Sequence, residues 1–420
     1  MNFQELLKAK TCDCGKTHRC SVKSVLIGEG VLEKLPAVLG NYKSILLVAD
    51  KNTYLVCGNT VAELLDSRIQ RRLIYQDDGV LIPNEAAIAR LKGALSPETD
   101  LILGVGAGVI QDLCKYVSFA KGLPYAIVAT APSMDGYASV GAAMIIGNMK
   151  VTYSAHVPEV ILGDVNVLKN APMELIQSGY GDILGKYSCL NDWKLSALIN
   201  DEYFCEAVYD LTYDMLCKVK DLGPQLLNRD PQAVRLLMEA LVGVGIAMAY
   251  VGNSRPASGS EHHFAHFFEV VGILNNEPYF PHGIDVACSA VLVQKLRDQI
   301  LALENLPKSW NWNRDDWMGK IHGVYGAAAD GVITLQDKLG WYEKDWLAIY
   351  RAKWPEIKAV LEEAPSAAEL TGYLESVNLD IRSFEKQYGM EKLQNAVWYA
   401  KDLKDRYTVL WLYYTLFLCN

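Results

Sequence analysis

Short apolar runs alternate with amphipathic stretches over residues 24–172. Strands are predicted over SVLIG (24–28), SILLVAD (44–50), RRLIYQD (71–77), DLILGVG (100–106) and YAIVAT (125–130), with helix-like stretches such as NTVAELLDS (59–67) and NEAAIARLKGAL (84–95) between them. Strands that are apolar throughout are buried on both faces, so this alternation predicts a parallel sheet covered by helices. GAAMIIGNMKVTYS (141–154) reads differently: two strand-like runs flank Gly147-Asn148, which predicts a hairpin. EVILGDVNVLKNAP (159–172) closes this part of the chain.

Beyond residue 173 the spacing of apolar positions becomes helical, as in EYFCEAVYDLTYDMLCKVKDL, PQAVRLLMEALVGVGIAMAYV and DVACSAVLVQKLRDQILAL. The expected architecture is an α/β Rossmann-like domain over residues 1–174, which binds a dinucleotide. An all-helical domain over 175–420 follows, carrying metal and substrate, with the active site in the cleft between them. The apolar tail TVLWLYYTLFLCN (408–420) is too short to span a bilayer and is expected to dock as a core helix.

Composition narrows the function classes. Of 420 residues, 51% are hydrophobic, which is ample for a buried core, and the net charge of −9 argues against a broad nucleic-acid surface. No signal peptide or membrane span is evident, so a cytoplasmic protein is expected. Seven of the ten cysteines stand alone in apolar segments, as small hydrophobes of a reducing compartment do. The others, Cys12, Cys14 and Cys20, cluster with His18, in a spacing that suits either a small zinc site or a surface turn.

Three stretches offer chemistry. In DLILGVGAGVIQDLCKYVSFA (100–120) a strand runs through Gly104, Gly106 and Gly108 into a helix whose first N–H groups can face a pyrophosphate; a plain βα turn reads almost as well. Asp50, ending SILLVAD, is placed either to accept from a ribose hydroxyl pair or to cap the next helix. In VATAPSMDGYAS (128–139), Thr130 and Ser133 are candidates for the cofactor, and Asp135 and Ser139 for the cleft.

SGSEHHFAHFFE (258–269) holds three of the seven histidines within five positions. On a helix, His262 and His266 share a face, while His263 lies about 100° away. His282 precedes another apolar helix, and Asp182 opens one in SGYGDILGKYSCLNDWK (178–194). Asp, His and His with one position left open is a catalytic metal set for zinc, nickel or iron; taken singly, each residue is better read as a cap, a core histidine or a loop histidine, but the three together beside a glycine loop are not.

The chain resembles the sn-glycerol-1-phosphate dehydrogenases, in the superfamily of iron-containing alcohol dehydrogenases, glycerol dehydrogenase and dehydroquinate synthase. The resemblance runs in order through the glycine loop, TAPSMDG (130–136), GYGDILGKYSCLNDWKL (179–195), SRPASGSEHHFAH (254–266), PHG (281–283) and DRYTVL (405–410). It implies Asp182, His262 and His282 as metal ligands, with zinc or nickel placed before iron. It further implies His266, Asp135 and Asp182 on the substrate side, and Gly106, Gly108, Asp112, Thr130, Ser133 and Ser139 lining NAD or NADP. Lys186 stands where some relatives place a further histidine ligand. The segment between His266 and His282 is longer than in archaeal members, and the cysteine-bearing N-terminus matches longer bacterial ones.

The implied reaction is reduction of dihydroxyacetone phosphate to sn-glycerol 1-phosphate by hydride from NADH or NADPH, with a proton delivered through His266 or metal-bound water. From the sequence itself, Arg255 is the nearest cation for the phosphate, with Ser254 and Ser258 as donors. The alternatives are a polyol or hydroxyphosphonate dehydrogenase, a dehydroquinate-synthase-like lyase, or a non-catalytic binding protein. The expected partners are a small phosphorylated substrate and further copies of the chain, as a dimer or larger, with no nucleic acid and no membrane.

Overall fold

The structure is a computed structural model that describes every residue except 78, 80, 148, 311, 419 and 420. Two compact units result: Met1–Ile183 with Asp210–Ser254, and Leu184–Tyr209 with Arg255–Asn420. The cut at 174/175 follows the change in hydrophobic period along the chain. Compactness divides it differently, since helix Pro231–Val251 groups with the strands.

In the first unit, β1 (Lys10–Thr11) and β2 (Thr17–His18) form a small antiparallel hairpin. The main sheet contains β3 (Ser24–Gly28), β4 (Ile45–Asp50), β5 (Ile69–Tyr75), β6 (Leu101–Gly106), β7 (Tyr125–Ala129) and β10 (Val160–Asp164). Its order is β3-β10-β7-β6-β4-β5, and every pairing is parallel. β8 (Gly141–Ile146) and β9 (Met149–Ser154) make the predicted hairpin, with Gly147 at φ +59° in its turn and Asn148 outside the described residues.

The central strands are buried on both sides because alternate side chains feed two cores. Leu47, Ala49, Leu103, Val105, Val128 and Leu162 lie in one, and Leu46, Val48, Ile102 and Tyr125 in the other. From β4 the chain moves outward to β5, and from β6 it moves the other way to β7. The order therefore reverses between β4 and β6, the place where an open parallel sheet leaves a crevice at its carboxyl ends.

Helix Pro231–Val251 is long and apolar enough to cross a membrane, yet 72% of its most apolar window is buried inside the protein, as in a core helix. In the second unit the described residues form helices and turns only. Helices Ser260–Asn275 and His282–Leu301 pack together, and Phe268 stacks on Tyr388 at 4.0 Å between ring centroids. The C-terminal run forms helix Val409–Phe417, with Val409, Leu410, Trp411 and Leu412 fully buried, as its apolar pattern predicted.

Candidate active site

The sheet brings Asp50 and Gly106 to neighbouring strand ends at the reversal point, because Ala49 pairs with Val105. Asp50 caps the short helix Lys51–Thr53: its Oδ1 accepts from Asn52 N at 2.8 Å and Thr53 N at 2.9 Å. Helix Gly108–Lys121 starts at Ala107, which supplies no side-chain cap, so its first N–H groups face outward at the carboxyl end of β6. The glycines divide the work. A Cβ on Gly106 would stand 2.6 Å from Ile110 Cβ, and one on Gly104 would stand 2.9 Å from Ile127 Cδ1. Gly104 and Gly106 are thus demanded by packing of helix and neighbouring strand against β6, whereas Gly108 meets nothing closer than Met134 Cγ at 3.7 Å.

Thr130 donates its N–H to Gly106 O at 3.1 Å, fastening the loop after β7 to the glycine loop. Lys115 is fully buried and had no place in the sequence reading. Its Nζ donates to Gly136 O (2.9 Å), Ser139 Oγ (3.1 Å) and Gly141 O (2.8 Å), and lies 3.7 Å from Asp112 Oδ1. Burial pulls its pKa down, opposed by the charges of Asp112 and Asp135. Lys115 therefore positions both Ser139 and Asp112. Ser133 O accepts from Ser178 Oγ at 3.0 Å, and Asp182 Oδ2, wholly buried, accepts from Asp135 N at 3.0 Å. This closeness rests on two helical glycines. A Cβ on Gly179 would fall 1.8 Å from Pro132 O, and one on Gly245 would fall 2.9 Å from both Ala138 N and Asp135 O.

In the second unit, the approach to the histidine helix is as constrained. Ser260 N and Oγ donate to Asp192 Oδ2 at 2.7 and 2.6 Å, and a Cβ on Gly259 would meet Cys189 Cα at 2.6 Å. His262, His266 and His282 converge, with ring centroids 5.1 Å apart for 262–282, 5.4 Å for 266–282 and 6.1 Å for 262–266. His262 Nδ1 lies 2.6 Å from Glu261 Oε1, and His282 Nδ1 lies 3.1 Å from Glu269 Oε1. A carboxylate on Nδ1 fixes the tautomer and leaves Nε2 as the donor, the usual support of a metal-binding imidazole. Burial pushes Glu261 up to about 7.

His266, Glu269 and His282 also place donor atoms within 4.8 Å of one another. Glu269 is already engaged by His282 Nδ1, so the pair with both Nδ1 atoms supported is His262 with His282. The donor chemistry of this histidine pair fits a divalent metal. His263 is wholly buried, and neither ring nitrogen has a hydrogen-bond partner among the described residues. Burial, reinforced by the charges of Lys404, Arg406 and Arg255, holds it well below the usual histidine range, hence neutral.

Arg255, expected at the substrate phosphate, is engaged within the protein. It is 1% exposed; Nε and Nη2 donate to Glu202 Oε2 at 3.0 and 2.5 Å, and Nη2 to Tyr407 O at 2.6 Å. Those contacts make it a brace between chain segments. Two other cations meet the loop before the histidine helix: Lys404 Nζ donates to Ser258 Oγ at 3.4 Å and Arg406 Nη1 to Ser258 O at 2.7 Å. Arg406 belongs to DRYTVL, but nothing in the linear sequence brings residues 404 and 406 to residue 258. Lys186 Nζ is turned to Ala257 O at 2.9 Å.

The sequence profile of the family described as "Iron-containing alcohol dehydrogenase" matches residues 26–172. A glycerol-1-phosphate dehydrogenase (NAD(P)+) of Halalkalibacterium halodurans is 36% identical over 296 residues, covering 69% of this chain and 74% of its own. One of Bacillus licheniformis is 27% identical over 406 residues, covering 95% and 90%. Among solved structures, an archaeal halo-thermophilic alcohol dehydrogenase from a Red Sea brine pool superposes with a TM-score of 0.61 at 13% identity, covering 96% of this chain and 99% of its own. Glycerol dehydrogenase of Schizosaccharomyces pombe gives 0.53 at 16%, covering 88% and 92%. Those two likenesses concern the fold, and the sequence relatives carry the assignment: the chain belongs to the glycerol-1-phosphate dehydrogenase family of NAD(P)-dependent oxidoreductases, among the iron-containing alcohol dehydrogenases.

Proposed function

We propose that this chain reduces dihydroxyacetone phosphate to sn-glycerol 1-phosphate, reversibly, with NADH or NADPH and one divalent metal. The observation that carries the reading is the pair His262 and His282, whose rings converge and each of which has Nδ1 on a buried glutamate. Asp182 completes the ligand set in this proposal, and zinc or nickel suits two imidazoles and a carboxylate. When bound, the metal polarises the substrate carbonyl and the nicotinamide supplies hydride. Asp135 orients the substrate hydroxyl. His266, on the same helix face as His262, carries the proton to the reduced oxygen.

The cofactor lies along Asp50, Gly106, Gly108, Asp112, Thr130, Ser133 and Ser139, with its pyrophosphate at the start of helix Gly108–Lys121. For the substrate phosphate we assign Lys404 and Arg406 around Ser258, with the Arg255 charge behind them. We expect the protein to act in the cytoplasm as a homo-oligomer of two or more chains. The test is a chiral assay of the product made from dihydroxyacetone phosphate, with metal content measured on the same sample and both cofactors compared. Product of the opposite hand would overturn the stereochemical assignment, and faster oxidation of glycerol than of glycerol 1-phosphate would replace this reading with that of a polyol dehydrogenase.

A further inference from the structure

The cysteine-bearing N-terminus takes no part in the reaction above, yet its donor side chains converge. Residues 12–16 join β1 to β2 in a tight loop: Cys12 N donates to Lys16 O at 3.0 Å, Gly15 N to Cys12 O at 3.0 Å, and Gly15 takes φ +84°. The loop carries Cys12 and Cys14, and β2 ends on His18. The donor atoms of these three residues lie within 4.8 Å of one another. Cys14 Sγ stands 3.4 Å from His18 Nε2, where a tetrahedral zinc with ordinary Zn–S and Zn–N bonds sets its sulfur and nitrogen ligands about 3.6 Å apart.

The histidine is oriented for the task. His18 is 3% exposed, and its Nδ1 lies 3.1 Å from Tyr250 O. A carbonyl oxygen only accepts, so Nδ1 carries the proton and Nε2 presents its lone pair toward Cys14. A backbone carbonyl on the far nitrogen is a common outer support of a metal-bound histidine. The ring also stacks on Tyr250, centroids 5.4 Å apart, and the Tyr250 hydroxyl donates to Leu6 O. These contacts fasten the hairpin to the end of helix Pro231–Val251, within one unit. Cys20, which the sequence grouped with these residues, is buried but is not among the converging donors.

We propose that Cys12, Cys14 and His18 bind a structural zinc ion, separate from the catalytic metal, that pins the first twenty residues to this helix. Two thiolates and an imidazole are a soft donor set that selects zinc over magnesium, calcium or manganese. The catalytic set offers only nitrogen and oxygen, so sulfur coordination reports this site alone.

The test uses the full-length chain. X-ray absorption of the zinc-loaded wild-type protein should show sulfur neighbours at about 2.3 Å, and their number reveals whether a further thiolate completes the shell. Replacing zinc by Co2+ should give sulfur-to-metal charge-transfer absorption. Cys12→Ser/Cys14→Ser should abolish that absorption and lower zinc by about one ion per chain, while zinc at the histidine pair is retained. Because the double variant is open to misfolding, a second measurement needs no substitution: iodoacetamide should label Cys12 and Cys14 only after chelation, and exposed Cys217 at once. Zinc bound with nitrogen and oxygen neighbours only, or labelling of Cys12 and Cys14 that ignores the chelator, overturns the proposal.

Discussion

Replacing Arg255 by alanine separates a brace from a substrate ligand. The guanidinium is 1% exposed and bonds Glu202 twice and Tyr407 O once. Removing one partner of a buried ion pair costs about 3–5 kcal/mol. The Glu202 side chain is 29% exposed, so water recovers part of its charge, and the lower end, about 3 kcal/mol, applies. For a unit of this size that is a fall in Tm of about 6–12 °C. The assay is differential scanning calorimetry beside steady-state kinetics on dihydroxyacetone phosphate and dihydroxyacetone. Arg255→Ala should lower Tm and reduce kcat/KM on both substrates alike, since a displaced 255–259 loop moves the histidine helix. Arg255→Lys should restore only part, because an ammonium lacks the fork that serves two acceptors. Lys404→Ala should instead raise KM for the phosphorylated substrate roughly ten- to hundredfold, the equivalent of one charge-assisted bond, with little change for dihydroxyacetone. An unchanged Tm in Arg255→Ala, with the loss confined to dihydroxyacetone phosphate, would refute the bracing role and return the phosphate to Arg255.

His262→Ala, His282→Ala and Asp182→Asn should each abolish turnover and lower catalytic metal, whereas His263→Leu should keep the metal; loss of metal in His263→Leu with retention in His262→Ala would mean the helix face is misassigned. Asp50→Asn keeps the helix cap and removes the charge, so NADPH should gain on NADH in kcat/KM without a change in Tm; an unaltered cofactor ratio removes Asp50 from the cofactor site. Gly179→Ala should fail to accumulate folded or lose all activity, because its Cβ would meet backbone at Pro132 O, while Gly93→Ala, with open space around it, should be neutral or stabilising; comparable behaviour of the two would discount the close approach of the loop.

Periodicity along the chain was enough for the parallel sheet, the hairpin and the long helices, because burial on one or two faces imposes a period of two, a continuous run or a period of 3.6 whatever the neighbours are. Helical spacing also puts His262 and His266 on one face and His263 about 100° away, in agreement with the resemblance, which implies His262 as the ligand. The resemblance placed Asp182 and His282 in the same chemistry. What the linear order could not carry is every contact made across the fold. Lys115 looked like an ordinary lysine of a helix until the loop after β7 closed its three carbonyl and hydroxyl acceptors over it. Asp50 kept two readings, and the tertiary structure shows the cap. At Gly104 and Gly106 the fold adds a packing demand that the linear order could not show, because Ile127 and Ile110 occupy the space a Cβ would need. Arg255 was nearest the histidines in sequence, and tertiary packing gave it to Glu202 and Tyr407 while bringing residues 404 and 406 to Ser258. Sequence determines which side chains can be buried. Which of them meet, and hence whether a charge is engaged by the protein or directed at a ligand, is decided only when distant segments pack.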